Sequence, residues 1–315
     1  MSRSISVLAA FALVSYSSAE DIQGTIRIWG SGQMQTLIDT WGSQFTAMFP
    51  GDRVEAKLLG TETAMAGLYT GVSDLAVMGR RATLKEIMAF EWVFKYKPLE
   101  IAIVTGSLNV PGKSPALVVF VHRDNPISQL TLAEVDAIFS CERLRGHAAI
   151  KRWGELGVRG NWAERRINAY LFNTETGSAS FFKRVVMNGS SKWNWPQVYE
   201  LNDAKQVPQR LAQDPSGIAV SSLCYANPNV KAVALSPDRD GRFYVPTVES
   251  VVAQSYPLTR LAYAYVNRPP GRPIPALVRQ FLEYALSNAG QQQVAGGGYL
   301  PLNAKCLEEQ REKMR

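Results

Sequence analysis

Three times in this chain a short apolar strand runs into a loop of Gly, Ser and Thr that opens a helix, and this repeated arrangement restricts the fold more than any other feature. The first runs from Ile26 to Trp29 and enters Gly30-Ser31-Gly32-Gln33. The second runs from Val54 to Leu59 and enters Gly60-Thr61-Glu62-Thr63. The third runs from Asn168 to Phe172 and enters Asn173-Thr174-Glu175-Thr176-Gly177-Ser178. Small residues let a ligand reach the backbone, and a helix N-terminus presents unpaired N–H groups with roughly half a positive charge. Three such loops suit one small anion or polar solute held between them.

The rest of the chain follows the same alternation. Apolar runs predict strands at 25–29, 54–58, 75–78, 101–104, 117–121, 167–171, 218–220, 230–235 and 261–266, with helical patterns between many of them. Leu37, Ile38, Trp41, Phe45 and Met48 recur at helical spacing up to Pro50-Gly51, which makes Trp41 a core residue. Thr83-x-x-Glu86 and Thr131-x-x-Glu134 are capping boxes, and a late helix starts at Pro275. The expected class is α/β with largely parallel sheets. Loop-rich stretches at 106–115 and 236–241 divide the chain, as a middle domain inserted between two halves of another would.

Other features restrict the chemistry. Arg3, the apolar run from Ile5 to Val14 and Ser17-Ser18-Ala19 read as a signal peptide, with cleavage after Ala19 and export to the periplasm. The formal charge is +7, from 34 Lys and Arg against 27 Asp and Glu, but the basic residues are scattered, so nucleic-acid binding has no support. Two histidines and three cysteines, with no C-x-x-C pair, offer no metal-ligand spacing, so neither metal nor cofactor is expected. If a disulfide forms, Cys141 to Cys224 is the expected pair; three free thiols are the alternative. No nucleophile elbow or zinc-binding His pair points to an enzyme. Gly106 to Gly112-Lys113-Ser114 has one residue too many between its glycines for a phosphate-binding Walker loop, and Pro115 and a strand follow it.

Thr63 to Arg80, with its Gly71-Val72-Ser73-Asp74-Leu75 segment ending in Gly79-Arg80, resembles the periplasmic phosphate-binding proteins of ABC uptake systems. Further motifs follow in that family's order: Val119 to Pro126, Leu130-Thr131, Ile138-Phe139-Ser140, Trp153 to Gly157, Ser255 to Arg260, and Gly298 to Leu302. The resemblance covers most of the chain after residue 19. It implies a type II, two-domain binding-protein fold with a ligand cleft and two hinge crossings. Domain I would comprise 20–103 and 237–315, and domain II 104–236. It also implies a monomer that closes on a small oxyanion such as phosphate and delivers it to an inner-membrane ABC permease.

The candidate ligand-binding residues are Gly30, Ser31, Gly32, Gln33, Thr61, Thr63, Arg80, Thr176, Gly177 and Ser178. Where the family places an Arg four residues before its hydroxyl-glycine-hydroxyl triplet, this chain has Phe172. Losing a charge-assisted contact costs about 1.5–3 kcal/mol, so weaker phosphate binding or a changed anion preference is expected. Glu62 would repel an anion unless it points away or pairs with Arg80 or Arg81. A sensory or interaction protein on the same fold, and a binder of a different small polar solute, are the alternative readings.

Overall fold

A computed structural model describes residues 24–238 and 241–315; the signal-peptide reading concerns residues outside them. Twelve strands occur among the described residues. They are β1 (Gly24–Gly30), β2 (Asp52–Lys57), β3 (Leu75–Met78), β4 (Leu99–Thr105), β5 (Leu117–His122) and β6 (Gln129–Thr131), followed by β7 (Asn168–Phe172), β8 (Val198–Leu201), β9 (Gly217–Ser222), β10 (Val230–Ala232), β11 (Ala234–Ser236) and β12 (Leu261–Val266). The helices that matter for the site are α1 (Gln35–Met48), α2 (Thr61–Tyr69), α3 (Leu84–Phe94), α4 (Leu132–Phe139) and α5 (Gly177–Val185).

The strands form two five-stranded sheets, ordered β2-β1-β3-β12-β4 and β10-β5-β9-β7-β8, and a short β6-β11 pair. Both large sheets are mixed, which corrects the expectation of largely parallel sheets. In the first, β1 runs parallel to β2 and β3, but β12 is antiparallel to β3 and β4. In the second, β7 is parallel to β8 and β9, whereas β5 is antiparallel to β9 and β10. The reversal at β12 has a simple cause. This strand arrives from residues packed on the second sheet and enters its slot from the end opposite to a βα unit.

Each sheet has its own core. One cluster gathers Ile26, Leu37, Trp41, Phe45, Val77, Val104, Ala262 and Phe281, and the other Leu117, Phe120, Ile138, Trp153, Phe182 and Val220. Val251, Tyr256 and Leu258 belong to the second cluster, and Ala262 onward to the first. The apolar stripe of α1 is buried as its spacing requires, and the Trp41 indole donates to the Gly290 carbonyl at 2.9 Å. Both capping boxes form, at Thr83/Glu86 and Thr131/Glu134. The run at 230–235 breaks at Val233, because β10 pairs with β5 while β11 pairs with β6. All three cysteines are free, and the Cys141 to Cys224 pairing is absent. Cys141 follows α4, beside the Lys192 carbonyl, whereas Cys224 lies in the turn after β9 with its thiol on Ser222.

Candidate functional site

The loop after β7 builds one side of the site. Thr176 caps α5: its hydroxyl accepts from the Ala179 amide at 3.2 Å and donates to the Asn173 carbonyl at 2.9 Å. That leaves the Gly177 and Ser178 amides, in the first turn, without helical partners and pointing outward. Gly177 is needed for close approach, since a Cβ there would stand 3.2 Å from Arg80 Cδ. On the other side, α2 opens at Gly60-Thr61 with the acidic Glu62 in its first turn.

These elements enclose a cavity of about 390 Å³ lined by Gln33, Thr61, Glu62 and Arg80 from the first sheet's side and by Phe172, Thr176, Gly177 and Ser178 from the second's. Six of the ten sequence candidates therefore face one space. The other four do not line it. Gly30 lets β1 approach β3, since a Cβ there would lie 1.9 Å from the Val77 carbonyl oxygen. Ser31 is buried, with its amide on the same carbonyl at 3.0 Å. Gly32 sits against Leu58, and the Thr63 hydroxyl donates to the Gly60 carbonyl at 2.8 Å. Asp74 of the Ser73-Asp74 segment is engaged elsewhere, with Arg27 donating to it at 2.7 Å and 3.0 Å.

Charge is distributed differently from the sequence expectation. Arg80 lines the cavity, but its guanidinium donates twice to Glu86, at 2.7 Å and 2.9 Å. Burial pulls its pKa down, the Glu86 contacts outweigh that, and the net direction is up. Glu62 lines the cavity with neither Arg80 nor Arg81 in ion-pair contact.

The cation that sequence reasoning missed is Arg260. It is 7% exposed, donates to Ser178 Oγ at 2.8 Å and to the Gly79 carbonyl at 3.3 Å, and lines the same cavity. Among the described residues no carboxylate lies within ion-pair distance of it. Burial, and then the charges of Arg184 and Arg80, push its pKa down to about 10, so it stays charged at neutral pH. A buried, unpaired cation is costly. Here it is held beside a helix N-terminus and a hydroxyl whose own proton remains free to donate, an arrangement suited to an anion. Ser114 adds a second unmatched group: it is 2% exposed, lines the cavity, has a left-handed backbone at φ 50°, and its hydroxyl has no partner among the described residues. The available signal for Arg260 was its position directly before a fully apolar strand.

Residues 16–289 match the family model described as the PBP superfamily domain. The chain is 34% identical over 300 residues to the phosphate-binding protein PstS of Pseudomonas aeruginosa, an alignment covering 95% of this chain and 89% of that one. The chain belongs to the phosphate-binding protein family. The family's members are solute-binding proteins and not enzymes. Among solved structures, PstS from Borrelia burgdorferi superposes with a TM-score of 0.63 at 18% identity, covering 90% of this chain and all of that one. A phosphate transport receptor from Vibrio cholerae gives 0.58 at 17%, covering 87% and 99%. These likenesses establish the two-domain type II binding-protein fold. Within it, Phe172 and Arg260 line the same cavity, and Arg260 brings its guanidinium there from the approach to β12.

Proposed function

We propose that this chain is the exported solute-binding component of an ABC uptake system and that it holds phosphate, or a closely related oxyanion, between α2 and α5. Arg260 carries the reading: its buried charge has no counter-ion among the described residues, and it adjoins the Ser178 hydroxyl and the free amides of α5. Gln33, Thr61, Arg80, Thr176, Gly177 and Ser178 surround the anion, and Gly30, Ser31, Gly32 and Thr63 shape the loops behind them. The relative from Pseudomonas aeruginosa, named as a phosphate-binding protein, supports the choice of ligand.

The cores support two chain crossings between domains, one near Thr105–Gly106 and the other near Thr259–Leu261 and so later than the expected boundary at 236/237, about which the cleft opens and closes. Contacts from both sides are complete only when the cleft is shut, so the ligand favours the closed state by differential binding. The closed monomer then docks on an inner-membrane permease. The signal peptide directs export to the periplasm and is removed by cleavage after Ala19. Calorimetry with phosphate, sulfate, a phosphonate and a neutral sugar tests this reading. Saturable heat is expected with phosphate and none with the sugar; sugar binding without anion binding contradicts it.

A further inference from the structure

Beyond Arg260 from the proposed phosphate site lies a second cavity of about 280 Å³ with Arg81, Arg184, Arg260, Tyr263, Gln254 and Thr259 in its wall. Arg80 and Arg260 line both cavities. Four guanidiniums therefore converge here, and the acids nearby neutralise only two of them. Glu86 holds Arg80 at 2.7 Å and Glu100 pairs with Arg81 at 3.2 Å. Arg184, from the last turn of α5, has no carboxylate within ion-pair distance among the described residues. The Arg184 and Arg260 guanidinium carbons each lie 5.6 Å from the centre of the Phe181 ring, so they are at most twice that distance apart. One anion at Ser178 accounts for Arg260 and leaves Arg184 unmatched.

Solvent alone satisfies an arginine at an exposed rim, as Arg81 and Arg184 are. It does not account for the wall behind them. The Gln254 side-chain nitrogen and the Thr259 hydroxyl are buried there without hydrogen-bond partners among the described residues. Gln254 is also held in a left-handed backbone conformation at φ 58°, a cost that a non-glycine residue rarely carries without a role. Unpaired donors beside uncompensated guanidiniums form an environment for a tetrahedral oxyanion.

We propose that this second cavity is an anion subsite for a phosphoryl-type group, separate from the site at Ser178. The group is supplied either by a second inorganic phosphate ion or by the distal phosphoryl of a diphosphate whose other end sits at Ser178. Titrations of the full mature chain with inorganic phosphate and with pyrophosphate distinguish the two sources. The parent is compared with Arg184→Gln, with Arg260→Gln, and with Arg159→Gln as an exposed control of equal charge loss. A second phosphate per chain that disappears in Arg184→Gln and persists in Arg159→Gln identifies the free ion. One phosphate per chain, with pyrophosphate affinity lowered about tenfold or more by Arg184→Gln while its phosphate affinity stays that of Arg159→Gln, identifies the diphosphate.

If Arg184→Gln matches Arg159→Gln with both probes, the subsite does not exist, whatever happens at Ser178. The subsite rests on the proposed phosphate reading only through the shared Arg260. Loss of the first binding event in Arg260→Gln, with Arg184→Gln unchanged, overturns the subsite alone. Failure of the parent to bind either probe overturns both.

Discussion

Arg260 Nη1 donates to Ser178 Oγ across 2.8 Å, tying the chain just before β12 to the first turn of α5. The bond joins the two sides of the cleft in the cavity that Phe172 also lines. Because the hydroxyl accepts from arginine, its proton is left for a ligand oxygen. A charge kept buried without a counter-ion lowers the stability of the empty protein and raises its affinity for an anion.

Replacing Arg260 with Met is therefore expected to separate stability from function. The ligand-free variant should melt no lower than the parent, since an uncompensated buried charge is removed. Phosphate affinity should fall about 10- to 100-fold, the loss of a contact of roughly 1.5–3 kcal/mol. Thermal melts with and without phosphate check both halves, and an undiminished phosphate-induced shift in the variant counts against the role of Arg260.

Glu62 lines the cavity with no ion-pair partner among the described residues, so in the proposed site it should discriminate between protonated and unprotonated anions. Phosphate at neutral pH carries a hydroxyl that can donate a hydrogen bond to a carboxylate, whereas sulfate carries none and meets only repulsion. Glu62→Gln should narrow the preference for phosphate over sulfate by about tenfold, mostly through better sulfate binding. Competition titrations at pH 7 measure the ratio, and an unchanged ratio contradicts the role.

The Arg80–Glu86 pair gives a dependence on acid. Burial pushes the Glu86 carboxyl up, but bonds from Arg80 and from the Thr83 amide outweigh it and hold the pKa below its ordinary 4.5. A depressed carboxylate contributes stability that is fully present above 4.5 and is lost as pH falls through the lower folded value. The stability gap between the parent and Glu86→Gln should thus be constant near neutrality and shrink below about pH 4.5. Urea melts at pH 3.5 and pH 7 read the gap; one that widens in acid is the contrary result.

Gly30→Ala should destabilise the fold by about 1–3 kcal/mol or more, because the added Cβ meets the Val77 backbone carbonyl and not a movable side chain. Denaturant unfolding gives the figure. A cost near zero would mean that β1 and β3 separate more easily than their pairing implies.

Much of this was legible in the sequence wherever a residue's role is local. Leu75–Met78 and Leu261–Val266 are strands over the expected residues, and Thr83/Glu86 and Thr131/Glu134 cap their helices, because apolar runs and capping boxes act within a few residues. The short β6 and β8 carried no apolar run to announce them, and strand direction in the sheets depends on the path of the whole chain. Within the site, α5 was legible through Thr176-Gly177-Ser178. Arg260 was not, since it reaches Ser178 from 82 residues away and only the fold brings the two together. Phe172 led to the expectation of a missing charge, and the place of Arg260 before an apolar run did not by itself say which loop its side chain reaches.

The most direct test of the central claim is a calorimetric phosphate titration of the mature chain beside its Ser178→Ala/Arg260→Gln double variant. The parent should bind phosphate saturably, and the double variant about a hundredfold more weakly or not at all, since a hydroxyl donor and the guanidinium are both lost. A parent that binds no phosphate, or a double variant that binds it as tightly as the parent, would contradict an anion site between α5 and Arg260.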